Sequence, residues 1–178
     1  MTSPWHGTAD WDVGQLVTAA DLNAQVRDNV GYLFERPLTV ITSDRGSDFV
    51  TTSTSFVNVH IDDMALTLTL AGTRARVTFQ GNFRIQTSSP GTGRVYLDIA
   101  VDGIRQAGDD GLVVAQVISD DYVPLAFSWV VTGLIPGTHM FTLQWRATAS
   151  VGSPTATLFA GAATSAYDMH PQFSVEEF

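Results

Sequence analysis

The chain has no cysteine and no lysine, and none of its apolar runs approaches the eighteen or so residues needed to cross a bilayer as a helix. Without cysteine there is no disulfide framework, no thiol nucleophile and no thiolate metal site. Without lysine the positive charge rests on arginine alone: nine basic residues face eighteen acids, a formal net charge of −9, so the broad cationic footprint of a nucleic-acid binder is missing. The opening MTSPWHGTADWD also lacks the basic and apolar stretches of a secretion signal. The chemistry-bearing motifs are absent too. His6, His60, His139 and His170 are scattered, with no pair four apart and no HExxH context, and no GxSxG elbow, phosphate loop or dinucleotide fingerprint occurs. Catalysis, a catalytic metal and a bound cofactor are not expected.

What is present is a mostly β composition. In 178 residues, 44% are hydrophobic, with fifteen glycines, seven prolines and many Thr, Ser and Val residues. That length buries one good core, or one core and an appendage. The expected division is an N-terminal arm and helix over residues 1–37, followed by a β domain over 38–178.

The helix is the segment GQLVTAADLNAQVRDNVGYLFERP, residues 14 to 37. Thr18 and Asp21 form a capping-box pair, and Pro37 stops the helix near Phe34 to Glu35. Ala19, Leu22, Val26, Asn29 and Leu33 recur at spacings of three and four, the pattern of a coiled-coil seam, and Val30 widens the stripe. Asn29 is the polar member of that seam. Gly31 weakens the helix by about 1 kcal/mol relative to alanine, and isolated helices of this length are marginal, so something must pack on the stripe. The alternatives are the chain's own domain or further copies of the helix. Trp5 and Trp11 lie in a polar lead with no apolar pattern of its own, which suits a docking arm or a strap folded back over the domain.

The run from Trp11 to Val30, WDVGQLVTAADLNAQVRDNV, resembles the opening of many small tailed-bacteriophage structural proteins, in which a similar helix precedes a β-rich C-terminal domain. The resemblance covers about twenty residues. It implies a virion component, tail-associated or fibre-like, whose partners are other virion structural proteins. It brings no catalytic residues.

From Leu38 onward the periodicity is two. RARVTFQGNFRIQT places Ala75, Val77, Phe79, Gly81, Phe83 and Ile85 on one face of a long strand; Met64, Leu66, Leu68 and Leu70, then Val95, Leu97, Ile99 and Val101, mark two more. Further strands are expected over 38–42, 56–61, 112–118, 123–132, 139–147, 155–160 and 173–178, with Asp102-Gly103 as a tight hairpin. Nine or ten short antiparallel strands suit a two-sheet sandwich of jelly-roll type, and missing crossover helices exclude a parallel α/β fold. GLIPGTHMFTLQWRA resembles the late hairpin of jelly-roll heads in phage fibres and in the complement-C1q and tumour-necrosis-factor superfamily, a likeness that implies a homotrimer.

Candidate ligand contacts are few. The acidic pairs Asp62-Asp63, Asp109-Asp110 and Asp120-Asp121 are the best candidates for Ca²⁺ ligands. Asp120, Asp121 and Tyr122 combine two acids with an aromatic in an expected loop and suit a host-surface glycan. Trp129 and Trp145 fall among Phe127, Val131, Phe141 and Leu143 and are expected in the core. The resulting expectation is a homotrimer attached through Trp5, Trp11 and the helix stripe, displaying a β head. A capsid decoration protein and a carbohydrate-binding module are the alternatives.

Overall fold

The computed structural model describes residues 10–43, 45–88, 90–118, 120–161 and 169–178. Its helical part is continuous over residues 19–34 but changes winding along its length. It is α-helical over Ala19–Leu22 (α1), π-helical over Asn23–Asp28 and α-helical again over Asn29–Phe34 (α2). Thr18 caps it as expected: its hydroxyl accepts from the Asp21 N–H at 3.2 Å, and the Asp21 carboxylate accepts from the Thr18 N–H at 3.0 Å. The helix ends at Phe34, with Glu35 as its C-cap.

Among the described residues twelve strands form: β1 (Leu38–Thr42), β2 (Phe49–Thr51), β3 (Val57–Asn58), β4 (Ala65–Leu70), β5 (Arg74–Thr87), β6 (Thr92–Val101), β7 (Ile104–Arg105), β8 (Val113–Ile118), β9 (Asp121–Thr132), β10 (Gly137–Ala149), β11 (Pro154–Leu158) and β12 (Gln172–Glu177). β1 and β5 keep the bounds their periodicity predicts. The strand expected over 56–61 shrinks to β3, and β2 and β7 are too short to leave a periodic signal. Asp102 and Gly103 both take positive φ, 51° and 83°, the primed turn that a two-residue hairpin requires.

Two six-stranded antiparallel sheets form a sandwich. In the first, β5 pairs with β9 along one edge; its other edge is shared by β12 and β11, which carry β1 and β2 outward. In the second, β10 lies between β6 and the broken strand β3–β4, and β6 carries β7 and β8. Counting each broken strand as one position, the orders are first-eighth-third-sixth and second-seventh-fourth-fifth. That is a jelly roll, the double Greek key anticipated from the strand count.

The alternating faces meet as expected. Ala75, Val77, Phe79, Phe83 and Ile85 of β5 have no exposed surface, and Met64, Leu66, Leu68 and Leu70 are buried opposite them. Phe83 packs on Trp145 at 6.3 Å between ring centroids, and Phe79 on Phe83 at 6.1 Å. β6 departs from simple alternation. Tyr96, Asp98 and Ala100 on its second face are buried as well, because Arg105, bound to Asp98, and Arg146, lying on the Tyr96 ring, fold with Phe56 over the outer side of the second sheet. Trp129 is a correction: 43% of it is exposed, since among the described residues β9 is an edge strand paired with β5 alone. Trp145, on central β10, is 1% exposed.

Candidate functional site

The apolar stripe of the helix stands open. Leu22, Val26, Val30 and Leu33 are 51, 55, 46 and 54% exposed, and no residue from Ala19 to Asp28 is buried. Asn29 does not belong to this stripe. It is 7% exposed, turned in against its own chain. The physical reason is the π-helical stretch just before it: wider winding advances less per residue, so Val30 takes the seam position that uniform α-helical spacing assigns to Asn29.

Attachment to the β domain comes at the helix end. Tyr32 is buried, and a cleft of about 340 Å³ lies between Tyr32, Leu33 and Arg36 on one side and Ala71, Gly72 and Phe178 on the other. Glu177, 5% exposed, closes its floor: its carboxylate accepts from the Ala71 N–H at 3.1 Å and from the Gly72 N–H, satisfying the turn between β4 and β5. Burial pushes the Tyr32 phenol above its ordinary range, and the neighbouring Glu177 carboxylate adds to the rise. In the polar lead, Trp11 is 41% exposed. Trp5 lies outside the described residues.

Asp120, Asp121 and Tyr122 are drawn into intramolecular contacts. Arg84 binds Asp120 through two hydrogen bonds, 2.8 and 2.5 Å, and Gln86 adds a third at 3.3 Å. The Arg84 hydrogen bonds hold the Asp120 carboxyl below its usual range. Asp121 accepts from the Tyr122 N–H at 2.7 Å, while the Tyr122 ring stacks on Phe159 at 5.7 Å. Asp121 and Tyr122 begin β9 rather than lying in a loop. The other acidic pairs are engaged as well. Asp63 meets Arg45 and His60, and Asp110 meets Arg146. Among the described residues no three His, Asp or Glu side chains converge on a common point where a metal ion could sit.

Two constellations lie outside the reach of sequence spacing. His139 bridges Asp102 (Nδ1 to Oδ2, 2.6 Å) and the Ile135 carbonyl (Nε2 to O, 2.7 Å), and the Asp102 carboxylate also accepts from the Met140 N–H at 2.9 Å. Both partners of the ring are acceptors, so the ring satisfies them together only when both nitrogens carry protons. Phe56, Arg105 and Arg146, distant in sequence, converge with buried Asp98 beside a cleft of about 390 Å³.

No family model matches this chain, and no curated protein matches it. Among solved structures, latent PorU from Porphyromonas gingivalis is similar over 80% of this chain and 13% of that one, at 11% identity and a TM-score of 0.41. The T13 IBDV viral particle is similar over 80% of this chain and 36% of that one, at 16% identity and a TM-score of 0.39. The infectious bursal disease virus VP2 subviral particle is similar over 80% and 38%, at 16% identity and a TM-score of 0.37. This chain therefore spans well under half the length of each. The functional reading rests on the chain's own residues.

Proposed function

We propose that this protein is a virion structural component of a tailed bacteriophage, tail-associated or fibre-like, which trimerises through its N-terminal helix and displays the jelly-roll domain. The observation that carries the reading is the open stripe of Leu22, Val26, Val30 and Leu33 on a helix whose buried residues, Asn29 and Tyr32, lie within its last six positions. A helix of sixteen residues is marginal in water by itself, and Gly31 weakens it further. Covering four half-exposed aliphatic side chains is worth about 4 kcal/mol per chain at roughly 1 kcal/mol each. The stripe contains no charge, so identical copies can meet along it without repulsion. Trp11, half exposed in the polar lead, then docks on a neighbouring virion protein, in keeping with the resemblance of the Trp11 to Val30 run to phage structural proteins.

Sedimentation equilibrium at micromolar concentration tests the assembly. The expected mass is three times 19.2 kDa, and Val26→Asp is expected to give monomers whose β domain unfolds at the original temperature. A monomeric parent chain would refute the assembly. Electron microscopy of labelled particles tests location: label at the tail supports the reading, label over the shell favours a decoration protein, and unlabelled particles exclude both.

A further inference from the structure

The outer face of the second sheet carries a pair of guanidinium groups built into the fold. Arg105 donates Nε to the carboxylate of Asp98 at 2.9 Å and a terminal N–H to the Gly108 carbonyl at 2.6 Å. Asp98 is wholly buried and also accepts from the Ile99 N–H at 2.8 Å, so the anchor of Arg105 is itself fixed. Arg146 donates Nη2 to the Asp109 carbonyl at 2.8 Å and lies 4.1 Å from the Tyr96 ring centroid. Both guanidiniums also sit on Phe56, at 3.7 and 5.3 Å from its ring centroid, which holds their centres within about 9 Å of each other. The side chains are 30 and 20% exposed, and among the described residues neither Nη1 takes a protein acceptor. The cleft beside them is lined by Thr54, Ser55 and Phe56 on one wall and Arg105, Asp109 and Arg146 on the other.

We propose that this cleft binds an acidic sugar, a single saccharide unit bearing one carboxylate. The carboxylate meets the open Nη1 edges of the two arginines, while Thr54, Ser55 and the Asp109 carboxylate serve the ring hydroxyls. Three observations select this ligand. The volume of about 390 Å³ falls in the range of small-molecule sites. Asp109 and Asp110 at the rim, on a chain of net charge −9, repel a phosphate dianion more strongly than a monoanion. The aromatic faces on which a neutral sugar would stack, Phe56 and Tyr96, are already covered by guanidinium groups. Because both arginines are held in place before binding, little side-chain entropy is lost when the ligand arrives. The site stands apart from the helix and is independent of the virion reading.

Amide chemical-shift titration of the full chain provides the test, with the methyl glycosides of glucuronic acid and N-acetylneuraminic acid as probes and methyl glucoside and acetate as counterparts. At least one acidic glycoside is expected to move the amides of Ser55, Phe56, Arg105 and Asp109 saturably, with a Kd of about 1 mM or tighter. Methyl glucoside and acetate are expected to bind at least tenfold more weakly. Arg146→Gln should lose tenfold or more in affinity; if it fails to fold, Thr54→Val with Ser55→Ala should lose at least threefold. Absence of saturable shifts up to about 50 mM overturns the proposal. So do equal binding of methyl glucoside or acetate, shifts confined to another surface, and unchanged affinity in a folded variant.

Discussion

Replacing His139 with glutamine should flatten the dependence of stability on pH between about 5.5 and 8.5. In the folded chain the His139 ring donates to the Ile135 carbonyl at 2.7 Å and to Asp102 at 2.6 Å, tying the start of β10 to the β6–β7 turn. Those contacts raise the pKa of His139 above its usual value, the Ile135 carbonyl contributing most and Asp102 next. A raised folded pKa means that the stabilisation is fully present below the unfolded value, about 6.5, and is lost as pH rises through the folded one. Asp102 behaves in the opposite sense. Its pKa is lowered, first by the Met140 N–H and then by His139, so its contribution is present above about pH 4 and disappears on further acidification. The clamp is therefore strongest between those limits. Hydrogen bonds to charged groups contribute about 1.5–3 kcal/mol when shielded. Here the Asp102 side chain is 49% exposed although His139 is only 13% exposed, and solvent screening reduces the expected total to about 1 kcal/mol. Urea unfolding followed by the fluorescence of buried Trp145 should show the parent losing about 1 kcal/mol more than His139→Gln between pH 5.5 and 8.5. Taking the difference between the two chains cancels the other titrating groups they share. A parent-minus-variant difference that stays constant across that range would refute the doubly protonated ring.

Two further outcomes follow from the packing. Trp145→Ala removes a side chain that is 1% exposed at the centre of the sandwich, and chemical denaturation should show a loss of about 3–5 kcal/mol, with collapse of near-ultraviolet circular dichroism. Glu177→Ala leaves the Ala71 and Gly72 N–H groups without their acceptor and should cost about 2–3 kcal/mol, with faster hydrogen exchange at the β4–β5 turn; unaltered exchange there would show that water replaces the carboxylate.

How far the fold was legible follows from how local each signal is. β5 keeps its predicted bounds because fourteen residues of strict alternation admit one register, and the Thr18–Asp21 cap is a contact across three positions. The second buried face of β6 was hidden, since Asp98 and Tyr96 read as an exposed face until Arg105 closes over the first and Arg146 over the second. Trp129 and Trp145 occupy similar apolar contexts, and only sheet order distinguishes an edge position from a central one. The exchange of Asn29 for Val30 on the helix stripe came from winding, which residue spacing alone does not encode. The arginine pair was invisible for a different reason: residues 56, 98, 105 and 146 share no motif and are brought together by the strand pairings β6–β7 and β6–β10, with Phe56 arriving beside β3 through the β3–β10 pairing.

The placement of β1 has a mechanical consequence. β1 leaves the helix directly and runs antiparallel to β12, with Leu38 opposite Glu176 and Thr42 opposite Gln172. If the helix is held and the body of the sandwich is dragged away, tension enters along the axis of β1. The ladder between β1 and β12 is then loaded in shear, and its backbone hydrogen bonds resist together. A pull applied between residue 37 and the chain's last residue, Phe178, acts across the same ladder at one end. It would peel those bonds open one after another, beginning beside the Pro37 carbonyl that accepts from Glu177. The domain should accordingly withstand a far greater tug through its distal surface than through its own terminus, an anisotropy that single-molecule stretching from the two attachment geometries would reveal.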